Sequence, residues 1–175
     1  MVPVIVGTSV AAGGGIIWWR AGAALVVAVA LEVATNYAND LSDGVRGTDG
    51  PQRVGPVRLV GAGMACSAEV RIAMLAAFAV AAVAGLTLAA AVTPWLLLVG
   101  GASIAAGWLY TGGPRPYGYL GLGELFVFTF FGLVATVGST YIHRQQVPAA
   151  AWPAAGRGCQ AGRAAPRSAP PNWRA

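Results

Sequence analysis

The sequence predicts an all-α protein, a multi-span bundle of transmembrane helices, and its composition is the first reason. Hydrophobic residues make up 57% of the 175 residues and charged residues only 10%, with a mean hydropathy of +0.65. Soluble domains carry about 25% charged residues. A soluble core of this length could not bury so much apolar surface. A membrane is therefore the expected environment.

Five apolar stretches are the second reason, because each is long enough, or nearly so, to cross a bilayer. Crossing a hydrocarbon core of about 30 Å takes roughly 20 helical residues. The predicted spans are residues 2–19, 21–39, 72–92, 94–111 and 120–142. Their continuous runs of Ala, Val, Leu and Gly favour helices, since the strands of membrane barrels alternate polar and apolar residues.

The distribution of arginine predicts which loops face the cytoplasm. All 11 basic residues are Arg, and the net charge is +5. In a soluble protein that charge would suggest nucleic acid, but in a membrane protein it marks cytoplasmic loops. The connections 40–71 and 112–119 carry Arg46, Arg53, Arg58, Arg71 and Arg115. We therefore expect a multi-pass protein of the bacterial inner membrane with these loops in the cytoplasm, and no nucleic-acid partner.

The stretch NYANDLSDGVRGTDG, residues 36–50, holds half of the six acidic residues of the chain. Asp40 and Asp43 are three positions apart, so on a helix their carboxylates lie about one turn apart on one face. Gly44 and Gly47 mark the expected helix end, after which Asp49 can fold back. With Asn39, these hard oxygen ligands suit Mg²⁺, which substrate phosphates usually complete.

Arginines beside the acidic stretch suit phosphate, because guanidinium groups bind it bidentately. Arg46, Arg53 and Arg58 lie there. The alternative is that the three aspartates form only a polar cap at the membrane boundary. Glu32, an acid inside the second span, is costly in lipid. It is either part of the functional site or a buried acid paired with Arg20 or Arg71.

A second polar cluster is WLYTGGPRPYGYLGLGE, residues 108–124. Its glycines and prolines predict a tight loop, and Tyr110, Tyr117 and Tyr119 fit an interfacial aromatic belt. As a bare pattern the cluster is interpreted as structural, with Glu124 as an acid at a helix start. The only histidine, His143, is interpreted as a bystander at the membrane edge.

The two blocks NYANDLSDGVRGTDGPQRVGPVRLVGAG and GWLYTGGPRPYGYLGLGE together resemble the UbiA superfamily of intramembrane aromatic prenyltransferases. The resemblance is closest to the branch that prenylates 1,4-dihydroxy-2-naphthoate in menaquinone synthesis. It covers roughly residues 2–142. It implies nine transmembrane helices around a central cavity in which two aspartate-rich motifs face each other.

What the resemblance implies for single residues is specific. Asn39, Asp40 and Asp43 would bind Mg²⁺ and the diphosphate of a polyprenyl donor, with Asp49 in support. The resemblance also marks Tyr110, by its match to a short tyrosine motif, as a catalytic residue alongside Asp40 and Asp43. Arg53 and Arg58 are the expected diphosphate contacts.

The C-terminal part departs from the pattern of that family. Asp49 is followed by only two acids, Glu69 and Glu124, so a second aspartate motif is missing. We therefore expect residues 1–142 to be a domain incomplete at its C-terminal side and inactive alone. Residues 143–175, rich in Arg, Pro and Ala, are predicted to be either a disordered extension or, as we favour, an out-of-frame translation.

Other functions stay open on the sequence alone. Prenyl transfer to another aromatic acid, such as 4-hydroxybenzoate, would use the same donor chemistry. A small transporter or channel subunit would line an ion path with Glu32 and the aspartates. A non-catalytic interaction subunit would only pair with other membrane helices. A soluble isoprenyl diphosphate synthase is excluded by the five spans. The two cysteines, Cys66 and Cys159, are too far apart to indicate a zinc site.

Overall fold

Helices dominate the structure, as the composition predicts. The structure is a computed structural model that describes residues 1–46, 58–112 and 116–156, except for the side chains of Arg46, Tyr119 and Leu120. Helix α1 is Val2–Ala11, α2 is Trp18–Arg46, α3 is Ser67–Ala91, α4 is Trp95–Leu109 and α5 is Gly123–Arg144. Within these described ranges no strand occurs. The all-α prediction is confirmed.

Each predicted span corresponds to one helix, but the lengths differ. Helices α2, α3 and α5 are long and apolar enough to cross a membrane, whereas α1 with its following turn, Val2–Gly14, and α4 are shorter. The predicted first span, 2–19, was too long, because a 3₁₀ turn at Ala12–Gly14 and a left-handed Gly15 with φ 93° end the helix. Only glycine adopts that conformation readily.

Helix α2 extends beyond the predicted span 21–39 at both ends. Its 29 residues measure about 43 Å at a rise of 1.5 Å per residue, against a hydrocarbon core of about 30 Å. The excess allows the polar C-terminal turns of α2, with Asp40 and Asp43, to stand clear of the apolar layer. The predicted end near Gly44 and Gly47 stays a prediction, because α2 is described as far as Arg46 and residues 47–57 lie outside the described residues.

The core of the bundle is the contact between α2 and α3. Ala34 and Ala38 of α2 pack against Met74 and Phe78 of α3, and all four side chains are buried. Small residues on one helix let the backbone of the other approach closely, which is how helices associate in lipid. This contact aligns the polar end of α2 with the start of α3.

Helix α1 packs against the second half of α5. A Cβ on Gly7 would collide with the carbonyl oxygen of Thr136, so the two backbones touch there. The buried hydroxyl of Thr140 donates a hydrogen bond to the Gly7 carbonyl over 2.9 Å. The first half of α5 differs, because Val127–Val134 is π-helical, a form often found next to functional sites.

The ends of α2, α3 and α5 are joined by polar contacts at the face of the bundle far from Asp40, here called the distal end. Arg20 donates hydrogen bonds to the carbonyls of Ile142, over 2.7 Å, and Ala91, over 3.3 Å. His143 accepts the Ile17 N–H at Nδ1 over 3.2 Å. The ring of His143 thus satisfies a free amide before α2, which is a structural contact, and its interpretation as a bystander to the chemistry stays a prediction.

Part of the predicted irregular tail is helical. His143 and Arg144 belong to α5, and residues 151–156 form a short helical segment in which Ala151, Ala154 and Ala155 are buried. The alanines of this segment, at spacings of three and four, share one face of the helix, and the origin of residues 143–175 stays a prediction. Of the predicted tail, 143–175, residues 157–175 lie outside the described residues.

Candidate functional site

Two polar segments separated in sequence meet at the end of the bundle opposite the distal end. They are the last turns of α2, from Asn36 to Gly44, and the residues just after α4, from Tyr110 to Gly112. The chain that returns toward α3 at residues 58–61 packs against the same turns of α2. The two sequence blocks that suggested a function therefore come together in space.

Asp40 is buried at this end, with 5% of its surface exposed. Its Oδ2 accepts the Leu59 N–H over 2.9 Å, and its Oδ1 accepts the Val60 N–H over 3.0 Å. Both carboxylate oxygens are thus hydrogen-bonded to the returning chain.

Asp43 lies one turn further along α2 and pairs with Arg58. The Nη2 of Arg58 is 3.8 Å from the Oδ2 of Asp43, and its Nη1 is 3.5 Å from the Asn36 carbonyl oxygen. These contacts are long, and both side chains are partly exposed, so the pair is weak. The Nε of Arg58 is buried and finds no hydrogen-bond partner in the part of the chain that the structure describes. A guanidinium N–H without an acceptor is a donor that an anionic ligand would satisfy.

Asn39 is held by the end of α4. The hydroxyl of Thr111 donates to Oδ1 of Asn39 over 2.7 Å, and the carbonyl of Thr111 accepts the hydroxyl of Ser42 over 2.6 Å. Thr111 is itself buried. Because the Oδ1 of Asn39 is engaged, its amide nitrogen is the group left to face a ligand, which suits an anion better than a metal ion.

Aromatic rings stack beside this polar cluster. The rings of Tyr110 and Tyr117 meet edge to face at 5.5 Å, and Tyr117 stacks on Phe126 at 3.7 Å between centroids. Phe126 in turn stacks on Phe130 at 5.8 Å. Burial, with a smaller contribution from Tyr110, raises the pKa of Tyr117 to about 12. The Tyr117 hydroxyl donates to the Ala106 carbonyl and is neutral at physiological pH.

A cavity of about 370 Å³ begins at these tyrosines and runs between α1, α2, α4 and α5. Asn39, Tyr110 and Tyr117 line its polar end, and residues such as Leu31 and Phe130 line its apolar body. An apolar volume with a few polar groups at one end is the usual form of a binding site for an amphiphilic small molecule. Part of the wall is the π-helical segment of α5.

The structure brings together some of the predicted site residues and leaves others undecided. Asn39, Asp40, Asp43, Arg58 and Tyr110 lie at one end of the bundle. Asp49 and Arg53 lie outside the described residues. In the described ranges no group of three or more His, Cys, Asp and Glu side chains could hold a metal ion. With Asp40 hydrogen-bonded through both oxygens and Asn39 through Oδ1, the described residues do not fit a complete magnesium site.

Glu32 is not the buried acid of the second interpretation, and its part in a functional site stays a prediction. Its side chain is exposed on α2, away from the cavity lining. Arg20, one of the predicted partners, donates instead to the carbonyls at the distal end. The expected position of Glu124 is confirmed, because it lies in the first turn of α5.

Sequence reasoning missed Thr111 and Ser42, which fix Asn39 and the end of α2. It also missed the amides of Leu59 and Val60 as partners of Asp40. A hydroxyl residue directly after an apolar helix was the available signal for Thr111, since such residues often hydrogen-bond between membrane helices. No local pattern marks the two amides, because their partner lies 19 and 20 residues earlier.

Comparison with known proteins identifies similar sequences. Residues 1–158 match the model of the UbiA prenyltransferase family. The match reaches past residue 142, where the resemblance was expected to end. No solved structure matches the chain significantly.

Curated relatives carry one functional name. The chain is 53% identical over 148 residues to the 1,4-dihydroxy-2-naphthoate octaprenyltransferase of Mycobacterium tuberculosis, covering 84% of this chain and 50% of that protein. The Mycobacterium leprae protein of the same name is 51% identical over the same shares. The Escherichia coli protein of that name is 37% identical, with 86% of this chain and 52% of that protein covered. The chain spans about half the length of these relatives.

Proposed function

Because the chain belongs to the UbiA prenyltransferase family, we propose that it carries the donor-binding half of an aromatic prenyltransferase. The proposed reaction transfers a polyprenyl group from its diphosphate to 1,4-dihydroxy-2-naphthoate, releasing diphosphate and CO₂. The product of this step is demethylmenaquinol, the hydroquinone form of demethylmenaquinone, an intermediate of menaquinone biosynthesis. The names of the similar proteins support the acceptor, and the geometry of the site supports the donor.

One observation carries the proposal for the donor: Asn39 lines the polar end of an apolar cavity, and the Arg58 guanidinium contacts the same turns of α2 through Asn36 and Asp43. The unsatisfied Nε of Arg58 and the amide of Asn39 are hydrogen-bond donors. The cavity of about 370 Å³ that Asn39 lines is surrounded mainly by aliphatic and aromatic side chains. A polyprenyl diphosphate has the same division between an anionic head and an apolar chain.

The residues suggest how such a donor would react. As the allylic C–O bond breaks, its electron pair leaves with the diphosphate, whose growing charge Arg58 stabilises. The faces of Tyr110 and Tyr117 stabilise the allylic cation, as aromatic rings do for cations generally. The ring carbon of the naphthoate that bears the carboxylate attacks the cation. Loss of CO₂ then returns the electron pair of the C–C bond to the ring.

The resemblance implies Mg²⁺ at the diphosphate, and Asp43 is the described carboxylate best placed to test it. Asp49 and Arg53 remain proposed contributors from outside the described residues. Since the described carboxylates do not complete a metal site, no step of the reaction is assigned to the ion. We expect the site to face the cytoplasm at the bacterial inner membrane, because it lies where the Arg-rich connections 40–71 and 112–119 begin, at the ends of α2 and α4.

Because the chain matches about half the length of its relatives, we expect it to perform only part of the reaction. Alone, this chain is expected to bind the donor and not to turn it over. A chimera tests this expectation: this chain replaces the matching half of the Mycobacterium tuberculosis relative. The chimera should transfer a radiolabelled prenyl group to 1,4-dihydroxy-2-naphthoate.

The chimera offers a matched pair of variants. Asp43→Asn should lower transfer by at least about 10-fold, as expected for loss of a charge at the site. Glu69→Gln removes an exposed carboxylate that accepts the Cys66 N–H, and Gln still suits the capping position that Glu69 occupies in the first turn of α3, so transfer should persist. Transfer unaffected by Asp43→Asn, or preference for 4-hydroxybenzoate, would overturn the assignment. Turnover by the chain alone that Asp40→Ala abolishes would refute the expected inactivity.

A further inference from the structure

The contacts of Asp40 show a use of its carboxylate different from the one the family resemblance implies. Each oxygen accepts a separate backbone N–H, that of Leu59 over 2.9 Å and that of Val60 over 3.0 Å. The residue is 5% exposed, so little of it faces a ligand. A carboxylate that accepts two amide hydrogen bonds in a buried position forms charge-assisted bonds, which are the strong kind.

The two amides are free to bind Asp40 because of the local fold of residues 58–65. In that turn the Ala62 N–H donates to the Arg58 carbonyl and the Met64 N–H to the Leu59 carbonyl. The first amides of such a turn have no acceptor within it. Asp40 therefore satisfies the two amides from outside, as a capping residue does at the start of a helix.

A second contact, one turn further along α2, joins the same two segments independently of charge. A Cβ on Gly44 would lie 2.5 Å from Cγ1 of Val60 and 3.3 Å from the Gly61 nitrogen. Only glycine at residue 44 permits this approach. Asp40 and Gly44, four positions apart, lie on one face of α2, and the returning chain covers that face.

The contacts of Asp40 and Gly44 with residues 59–61 fix the position of the preceding residue, Arg58. Arg58 is adjacent to Leu59, and its guanidinium lies 3.8 Å from Asp43. We propose that Asp40 is a positioning residue: it clasps the amides of Leu59 and Val60 and thereby holds Arg58 beside Asp43. In this assignment Asp40 is not a metal ligand. The clasp itself needs no substrate, whereas its benefit to donor binding rests on the proposed function.

Amide hydrogen exchange, resolved by residue with NMR in detergent micelles without magnesium or donor, tests the clasp. Asp40→Asn keeps the size of the side chain but turns an NH₂ toward one of the amides. Exchange at Leu59 and Val60 should accelerate by about 10- to 100-fold, the range expected for losing charge-assisted hydrogen bonds. Asp43→Asn, one turn away, should change it by less than about 3-fold, since the contact of Asp43 with Arg58 is long.

A second variant covers the case in which Asp40→Asn does not fold. Gly44→Ala leaves the Asp40 carboxylate intact and favours helix, but its methyl group displaces Val60. Exchange at Leu59 and Val60 should accelerate in Gly44→Ala as well. Unchanged exchange in the folded variants would overturn the proposal. So would a loss of protection at the two amides when saturating Mg²⁺ is added to the unmodified chain, since the ion would then be taking the carboxylate.

Ligand binding separates positioning from a general structural role. In Asp40→Asn, affinity for farnesyl diphosphate should fall by about 10-fold or more, because Arg58 is no longer held, while affinity for farnesol should stay unchanged. Equal losses for both ligands would mean a structural role only and would refute positioning. If the unmodified chain binds no farnesyl diphosphate although exchange depends on Asp40, the proposed function fails and the clasp stands.

Discussion

Gly7 is the position at which a single methyl group should most clearly disturb the bundle. An added Cβ would collide with the Thr136 carbonyl oxygen and lie 2.8 Å from the Cβ of Ser139, while ordinary contacts begin near 3.4 Å. Gly7→Ala must therefore push α1 away from α5 by more than about 0.5 Å. The hydrogen bond from Thr140 to the Gly7 carbonyl, now 2.9 Å long, would lengthen.

The magnitude follows from three contributions. Overpacking typically costs about 1–3 kcal/mol, and weakening the hydrogen bond costs about 0.5–1.5 kcal/mol. The better helix propensity of Ala offsets about 1 kcal/mol. The free energy of unfolding should therefore fall by about 0.5–3.5 kcal/mol.

The assay is unfolding by sodium dodecyl sulfate in mixed micelles, followed by circular dichroism. Gly138→Ala is the matched control, because Gly138 lies on α5, the helix against which α1 packs, and its added Cβ would meet nothing within 4 Å. That variant should be as stable as the original chain or slightly more stable. If Gly7→Ala and Gly138→Ala unfold at the same concentration of sodium dodecyl sulfate, the described contact between α1 and α5 is wrong.

Three further predictions concern single polar groups. Thr111→Val should lower the free energy of unfolding by about 1 kcal/mol, because Asn39 loses its hydrogen bond, whereas Thr111→Ser should not; equal losses would contradict this contact. Because the pKa of Tyr117 is raised to about 12, its neutral hydroxyl contributes fully to the stability of the fold below pH 10. That contribution is lost as the pH rises through 12. Ultraviolet titration of Tyr117→Phe should therefore show the phenolate step near pH 10 unchanged, and a smaller step there would count against a buried phenol. His143→Leu should accelerate amide exchange at Ile17 by about 10-fold, since that amide loses its acceptor, and unaltered exchange would refute the contact.

The sequence predicted most of the fold because lipid imposes simple rules. Apolar runs must be helical there, and each of the five predicted spans corresponds to a helix. The errors lie at helix ends. The run Gly13 to Gly15 is compatible with a continuing membrane helix, and only the left-handed conformation of Gly15 shows that α1 stops there.

The site was predictable in position and less so in the roles of its residues. The three-residue spacing of Asp40 and Asp43 follows from helix geometry, and both lie in α2 as expected. Which group each oxygen binds depends on segments distant in sequence. The partners of Asp40 come from the returning chain, and the partner of Asn39 lies 72 residues away. Long-range pairing of this kind leaves no periodic signal.

Direct binding of a polyprenyl diphosphate tests the central claim, that the cluster around Arg58 and Asp43 captures the anionic head of an isoprenoid. Isothermal titration of the chain in lipid nanodiscs would compare farnesyl diphosphate with farnesol, with and without Mg²⁺. Binding should require the diphosphate and weaken by about 10-fold or more in Arg58→Gln, which removes the guanidinium. Equal affinity for the alcohol and the diphosphate, or binding that Arg58→Gln leaves intact, would contradict the claim.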